Sequence, residues 1–202
     1  MYRKPFIWTT VLIALLSVSC CNNSDKKEVA MANEEESTAV QNENKILIAF
    51  YSWSGNTKEI ALQIQAITGG DIFEIQPQKD YSQDHKECVE QARKEIQSGY
   101  KPELTKKVEN IDNYDIIFVG TPNWCGTLAP PVGTFLTSYN FSQKNIVPFC
   151  THGTGGVQNV FDDMAKLLPN ANILNGFATY GKDVQTSKQN VEEWVKNTIN
   201  KK

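Results

Sequence analysis

From Lys45 onward, unbroken apolar runs alternate with amphipathic stretches. Ile46 to Tyr51 are six apolar or aromatic residues in a row, which suits a strand buried on both faces, as at the centre of a parallel sheet. From Thr57 the period becomes helical: Ile60, Ala61, Ile64 and Ile67 share one side of a helix that closes at Gly69-Gly70. Ile72, Phe73 and Ile75, interleaved with Glu74 and Gln76 and stopped by Pro77, read as an edge strand. Ser82 to Ser98 puts Cys88, Val89, Ala92 and Ile96 on one helical face, which makes Cys88 a core residue. Tyr100 to Asn113 is a connection with room for a short helical turn. A second buried strand spans Asp115 to Gly120, a short helix lies near Pro131 to Tyr139, and a third buried strand spans Ile146 to Cys150. Val157, Val160, Phe161, Met164, Leu167 and Leu168 form an amphipathic helix ended by Pro169. Ile173 to Thr179 read as a final strand that Asn175-Gly176 can interrupt, and the last helix begins near Ser187, with its lysines late as the helix dipole prefers. Strands alternating with helices predict an α/β fold with a doubly wound sheet. No internal repeat is visible.

The residues before Lys45 follow different rules. Arg3 and Lys4 precede a nearly unbroken apolar run, Phe6 to Val18, and small residues then lead to Cys20-Cys21. That run is short for a membrane span and reads as an export signal over residues 1–19. Leu16-Ser17-Val18-Ser19-Cys20 resembles a bacterial lipoprotein signal, with Cys20 lipidated and made the new N-terminus. Leu16 lies one place further from Cys20 than the usual pattern puts it, so Cys21 is the alternative site. Simple secretion and an uncleaved anchor are the competing readings. Residues 20–44, rich in Asn, Glu, Lys, Ser and Ala and without an aromatic, read as a disordered tether, leaving one domain over 45–202. The expected location is the cell envelope, on a membrane face the sequence does not specify.

The net charge of −3 offers no basic footprint for nucleic acid, and removing Arg3 and Lys4 with the signal leaves an export form more acidic still. Cys88, Cys125 and Cys150 form no Cys-x-x-Cys pair, and three thiols cannot all pair internally. Only His85 and His152 are present, so no metal site is expected.

Three loops that follow buried strands carry unusual chemistry, where open α/β sheets bind ligands. In the first, Ser52, Trp53, Ser54, Gly55, Asn56 and Thr57 lead into a helix whose free N–H groups and partial positive charge suit a phosphate. The plain alternative is an N-cap and a turn. The loop lacks the Gly-Lys-Ser/Thr of nucleoside triphosphatases. In the second, Pro122, Asn123, Trp124, Cys125 and Gly126 hold an indole that either stacks on a flat ligand or plugs the core. In the third, Thr151, His152, Gly153, Gly155 and Gly156 leave backbone amides open to close approach. Cys150 reads as packed and Cys125 as lying near the ligand.

Tyr51-Ser52-Trp53-Ser54-Gly55-Asn56-Thr57, Thr121 to Leu128 and Phe149-Cys150-Thr151-His152-Gly153, in this order and spacing, resemble the flavodoxin-like family, especially its bacterial flavodoxin-domain branch. The resemblance runs from about Lys45 to Trp194. It implies a three-layer sandwich with a five-stranded parallel sheet of order 2-1-3-4-5, and a bound FMN. Ser52, Ser54, Gly55, Asn56 and Thr57 would hold the phosphate. Pro122 to Gly126 would flank the isoalloxazine, with a backbone N–H near Gly126 available to the flavin, and His152, Gly153, Gly155 and Gly156 would border its other edge. The branch often has two adjacent aromatics in the second loop, and here the second is Cys125. Function is then expected to be electron transfer between a reductant and either a redox partner protein or a small-molecule acceptor. The alternatives are an FMN-dependent NAD(P)H:quinone-type oxidoreductase and a flavin-free binding module. No catalytic side chain is assigned. The acidic surround is expected to disfavour a reduced, anionic flavin.

Overall fold

The computed structural model describes residues 44–200. The export signal, all of the tether up to residue 43, and both Cys20 and Cys21 lie outside the described residues.

The apolar runs form the middle of one sheet. β1 (Ile46–Phe50) lies between β2 (Asp71–Glu74) and β3 (Ile116–Trp124), parallel to both. On the far side of β3 comes β5 (Asn145–His152), also parallel. The last position is shared by β6 (Asn172–Ile173) and β7 (Phe177–Tyr180), both parallel to β5 and separated around Asn175-Gly176. Counting β6 and β7 as one interrupted strand, and setting aside the two-residue β4 (Thr127–Leu128), the order is the 2-1-3-4-5 implied by the resemblance.

Helices cover both faces, and the strands divide their side chains between them with a period of two. Leu47, Ala49, Ile117, Val119, Ile146 and Cys150 face one layer, packed with Cys88 of α2 (His85–Ser98), Val132, Phe135 and Leu136 of α3 (Pro130–Thr137), and Val160 and Met164 of α4 (Val160–Leu167). Ile48, Phe50, Ile116, Phe118, Val147 and Phe149 face the other, with Ile60, Ala61 and Ile64 of α1 (Asn56–Thr68) and Val191 and Val195 of α5 (Lys188–Ile199). The Phe149 ring packs directly on Gly120, where a Cβ would stand 2.2 Å from it.

The chain departs from expectation at the end of β3. The strand was expected to stop at Gly120 and to give way to a loop, but it continues to Trp124, with Thr121 and Pro122 in register with Cys150 and Thr151 of β5. It then turns back through Cys125-Gly126 into β4, pairing Trp124 with Thr127. Both turn residues have positive φ, 52° at Cys125 and 92° at Gly126, as a tight two-residue hairpin requires. Within the connection from residue 100 to 113, a 3-10 turn spans Ile111–Asn113.

Candidate functional site

The loops that follow β1, β3, β5 and β7 meet at the carboxyl ends of the strands, where they enclose a cavity of about 380 Å³. The first loop reaches α1 through Gly55, which takes φ 88° and caps the helix without a side-chain hydrogen bond, leaving the first-turn amides to an outside partner. A Cβ built on Gly55 would meet nothing within 4 Å, so the loop is open above this point. Below it, the Ser52 Oγ is buried and has no hydrogen-bond partner among the described residues. Buried hydroxyls are almost always paired, so this one is placed for a group the protein itself does not supply. Thr57, also buried, shares a 2.8 Å hydrogen bond with the Thr151 hydroxyl and thereby ties the start of α1 to the end of β5.

The second loop is locked by Asn123. Its Oδ1 accepts from the Gly126 N–H at 2.9 Å, closing the hairpin, while its Nδ2 donates to the Gly156 carbonyl at 2.6 Å and to Gln158 Oε1 at 3.2 Å. Asn123 therefore joins the second loop to the third. The Gly126 N–H itself is engaged in this clamp, so a backbone N–H near Gly126 available to a flavin would be a neighbouring one. Trp124 packs as the core plug that one of its sequence readings gave, and part of its surface is left to the cavity. Its ring meets Tyr51 and Tyr81 edge to face, with centroids 5.4 Å and 4.8 Å away, and its remaining surface lines the cavity. Trp53 lines it too, its Nε1 donating to the Ser82 carbonyl at 3.1 Å.

Of the residues singled out from the sequence, Trp53, Ser54, Asn56, Pro122, Asn123, Trp124, Cys125, Thr151, His152 and Gly153 line the cavity. Thr57 is buried in the first-loop region, and Ser52 is half-buried with its hydroxyl turned inside. Gly126 and Gly155 instead line a neighbouring polar groove of about 800 Å³, which shares Asn123, Cys125 and Gly153 with the cavity. Gly156 contributes its carbonyl to the Asn123 clamp.

Two parts of the wall escaped the sequence reading. His85, Cys88, Val89 and Ala92 of α2 form one side. Cys88 and Ala92 were assigned to the core by their helical spacing, and they are buried, but a face that packs and a face that bounds a cavity have the same periodicity. Tyr180 at the end of β7, with Gly181 and Lys182 directly after it, forms another. A readable signal existed there, since these residues also follow the carboxyl end of a parallel strand. The Gly181 N–H donates to the His152 carbonyl at 2.8 Å, and the Tyr180 ring lies over the His152 ring with centroids 6.2 Å apart. His152 Nδ1 stands 2.7 Å from the Gly153 carbonyl; a carbonyl only accepts, so Nδ1 is the donor.

The electrostatics of the cavity run against the chain as a whole. No Asp or Glu lines it, and its ionisable nitrogen groups are His85, His152 and Lys182. The acidic surround expected from net charge does not reach the cavity wall. Burial pushes the thiols of Cys88 and Cys150 up, Cys150 to about 12, whereas Cys125 is exposed at the hairpin tip.

The chain matches the family described as flavodoxin over residues 45–198. It is similar to the crystal structure of a flavoprotein from Lactobacillus acidophilus in complex with FMN, at 28% identity and TM-score 0.60, over 71% of this chain and 97% of that one. It is also similar to a proposed flavoprotein from Bacteroides uniformis, at 28% identity and TM-score 0.68, over 76% of this chain and 98% of that one. A proposed flavoprotein from Bacteroides eggerthii matches at 28% identity and TM-score 0.62, over 73% and 97%. No curated protein matches the chain.

Proposed function

The chain belongs to the flavodoxin family, and from that membership we propose that it binds FMN and carries electrons at the cell envelope, held to a membrane by a lipid on Cys20. The observation that supports FMN most directly is the Ser52 hydroxyl, buried without a partner in the loop that opens α1. A phosphate oxygen accepts hydrogen bonds from such a hydroxyl and from helix N-terminal amides, and each hydrogen bond to a charged group contributes roughly 1.5–3 kcal/mol. Ser52, Ser54, Asn56 and Thr57 would hold the phosphate; Trp53, Trp124, Cys125 and His152 would border the ring. The L. acidophilus flavoprotein solved with FMN, similar to this chain over most of its length, supports the same cofactor.

When bound, FMN supplies the redox chemistry, and the protein sets its position and electronics. The Asn123 clamp fixes two of the cofactor loops relative to each other, and Trp53 and Trp124 give the cavity aromatic surface. A cavity of about 380 Å³ is near the lower end of small-molecule sites, which suits one flat ring system and electron exchange with a redox partner protein at its edge. The adjoining groove of about 800 Å³ favours a second reading, an FMN-dependent NAD(P)H:quinone-type oxidoreductase with its substrates beside the ring.

The test is a visible spectrum of the protein incubated with FMN and then desalted. Retained flavin absorption in stoichiometric amount is expected, and a colourless protein would refute the proposal. Steady oxidation of NAD(P)H with a quinone would select the enzyme over the carrier. For the anchor, a Cys20→Ala variant expressed in a bacterium is expected to lose metabolically incorporated fatty acid and to leave the membrane fraction. Retained label would shift the site to Cys21.

A further inference from the structure

This inference rests on the FMN reading and concerns the loop after β7. Lys182 borders the cavity together with His85 and His152, the only two histidines of the chain. Its position follows from close backbone packing. The Gly181 N–H donates to the His152 carbonyl at 2.8 Å, and a Cβ at Gly181 would stand 2.5 Å from Asn56 Nδ2. Glycine thus lets this loop settle against the first and third loops without displacing the Asn56 side chain, and the next residue is a lysine. Lys182 Nζ lies 5.7 Å from the centre of the Tyr180 ring and forms no ion pair among the described residues.

None of the nearby acids lines the cavity, and most are held by their own hydrogen bonds. Asp84 caps α2 through the Glu87 N–H, Glu87 accepts from Ser82 Oγ, and Glu95 accepts from Tyr81 and Gln91. Glu59 accepts from Gln63, and the exposed Asp183 does not line the cavity. Coulomb energy falls with distance and is screened within roughly 10 Å at moderate salt, so an ammonium at the wall outweighs carboxylates spread over the surface.

We propose that Lys182 stabilises the reduced state of bound FMN, making the Tyr180-Gly181-Lys182 loop a fourth element of the cofactor site that sets its potential. Oxidised flavin that accepts two electrons and one proton gains a negative charge on its ring. A cation facing the cavity binds that form more tightly than the oxidised one, and by linkage the midpoint potential rises. A lysine that served only the phosphate would strengthen both forms alike and leave the potential unmoved.

The test compares wild type with K182A, K182E and K182R, each loaded with FMN. Dissociation constants are measured for oxidised and for dithionite-reduced FMN, and midpoint potentials by spectroelectrochemical titration. The expected result is a reduced-to-oxidised affinity ratio lower by about tenfold in K182A, which corresponds to about 30 mV in the two-electron couple. K182E is expected to fall further, K182R to stay within about twofold of wild type, and 1 M salt to shrink the differences. The side chain is exposed, so melting temperatures should not move. Equal loss of affinity for both FMN forms, or an unchanged potential in K182E, would overturn the proposal while leaving FMN binding intact. A wild-type protein that retains no FMN would overturn both.

Discussion

A hydroxyl buried without a partner costs a folded chain about 1–3 kcal/mol, and Ser52 carries that cost in the loop that opens α1. Ser52→Ala is therefore expected to stabilise the flavin-free protein by roughly 1 kcal/mol in urea unfolding, and to weaken FMN binding by about tenfold or more in a fluorescence titration. Opposite signs in the two measurements are the signature of a group reserved for a ligand; a loss in both would mark Ser52 as merely structural. The cysteines separate by environment. Cys150 is 1% exposed and its thiol is held protonated up to about pH 12 by burial, and Cys88 is also buried and pushed upward. Since the thiolate is the reactive form, brief treatment of the flavin-free native protein with iodoacetamide at pH 8 is expected to label Cys125 and to spare Cys88 and Cys150 in a peptide map. The sign follows from the shift: raising the pH towards 9 should not expose Cys150 to the reagent unless the protein unfolds.

At the scale of elements, the β3–β4 hairpin and the loop after β5 behave as one unit, because a single side chain bonds both. Asn123 bridges the hairpin turn, Gly156 and Gln158, and two non-glycine residues with positive φ, Cys125 and Gln158, sit at the joint. Removing the clamp leaves left-handed backbone without its support. Asn123→Ala is expected to lower stability by about 1–3 kcal/mol and to weaken FMN binding, whereas Asn123→Asp keeps the Oδ1 acceptor for Gly126 but sets a carboxylate oxygen against the Gly156 carbonyl, so it loosens the third loop while the hairpin turn stays closed. Hydrogen exchange would place the change: faster exchange at Gly126 in the Ala variant but not in the Asp variant. The sheet itself is less forgiving. A Cβ at Gly120 would meet the Phe149 ring at 2.2 Å, so Gly120→Ala is expected to cost about 1–3 kcal/mol or more by overpacking, read as a lower denaturation midpoint.

For the molecule as a whole, the two hydrophobic layers are complete without a cofactor. Their buried side chains come chiefly from β1, β3 and β5 and from all five helices, with β2, β6 and β7 adding partly buried ones, and the loops that enclose the cavity stand at one end of the sheet. The flavin-free protein is accordingly expected to be folded by circular dichroism. A ligand that binds only the folded state stabilises it by about 2.7 kcal/mol at a hundredfold excess over its dissociation constant, so FMN should raise the melting temperature. Riboflavin, which lacks the phosphate, should raise it much less; equal shifts would mean that the α1 loop contributes little.

The chain's own order of residues determined the layered architecture. Buried parallel strands must be apolar on both faces and surface helices on one, so the unbroken run at Ile46 and the helical spacing of Ile60, Ala61 and Ile64 declared their classes locally. Loop chemistry was legible for the same reason: Ser52 to Thr57 carries its hydroxyls, glycine and amide within six residues. Tertiary structure alone decided the rest. The extension of β3 beyond Gly120 begins with ladder partners in β5 some thirty residues away, which no local pattern contains, and only its last two residues pair locally with β4. The face of α2 that borders the cavity has the spacing of a core face, because periodicity reports which side is covered and not by what. The charge at the cavity wall opposes the net charge of −3, since summed charge ignores distance and Coulomb energy does not: folding brings Lys182 and both histidines to the lining of one cavity and leaves the carboxylates elsewhere.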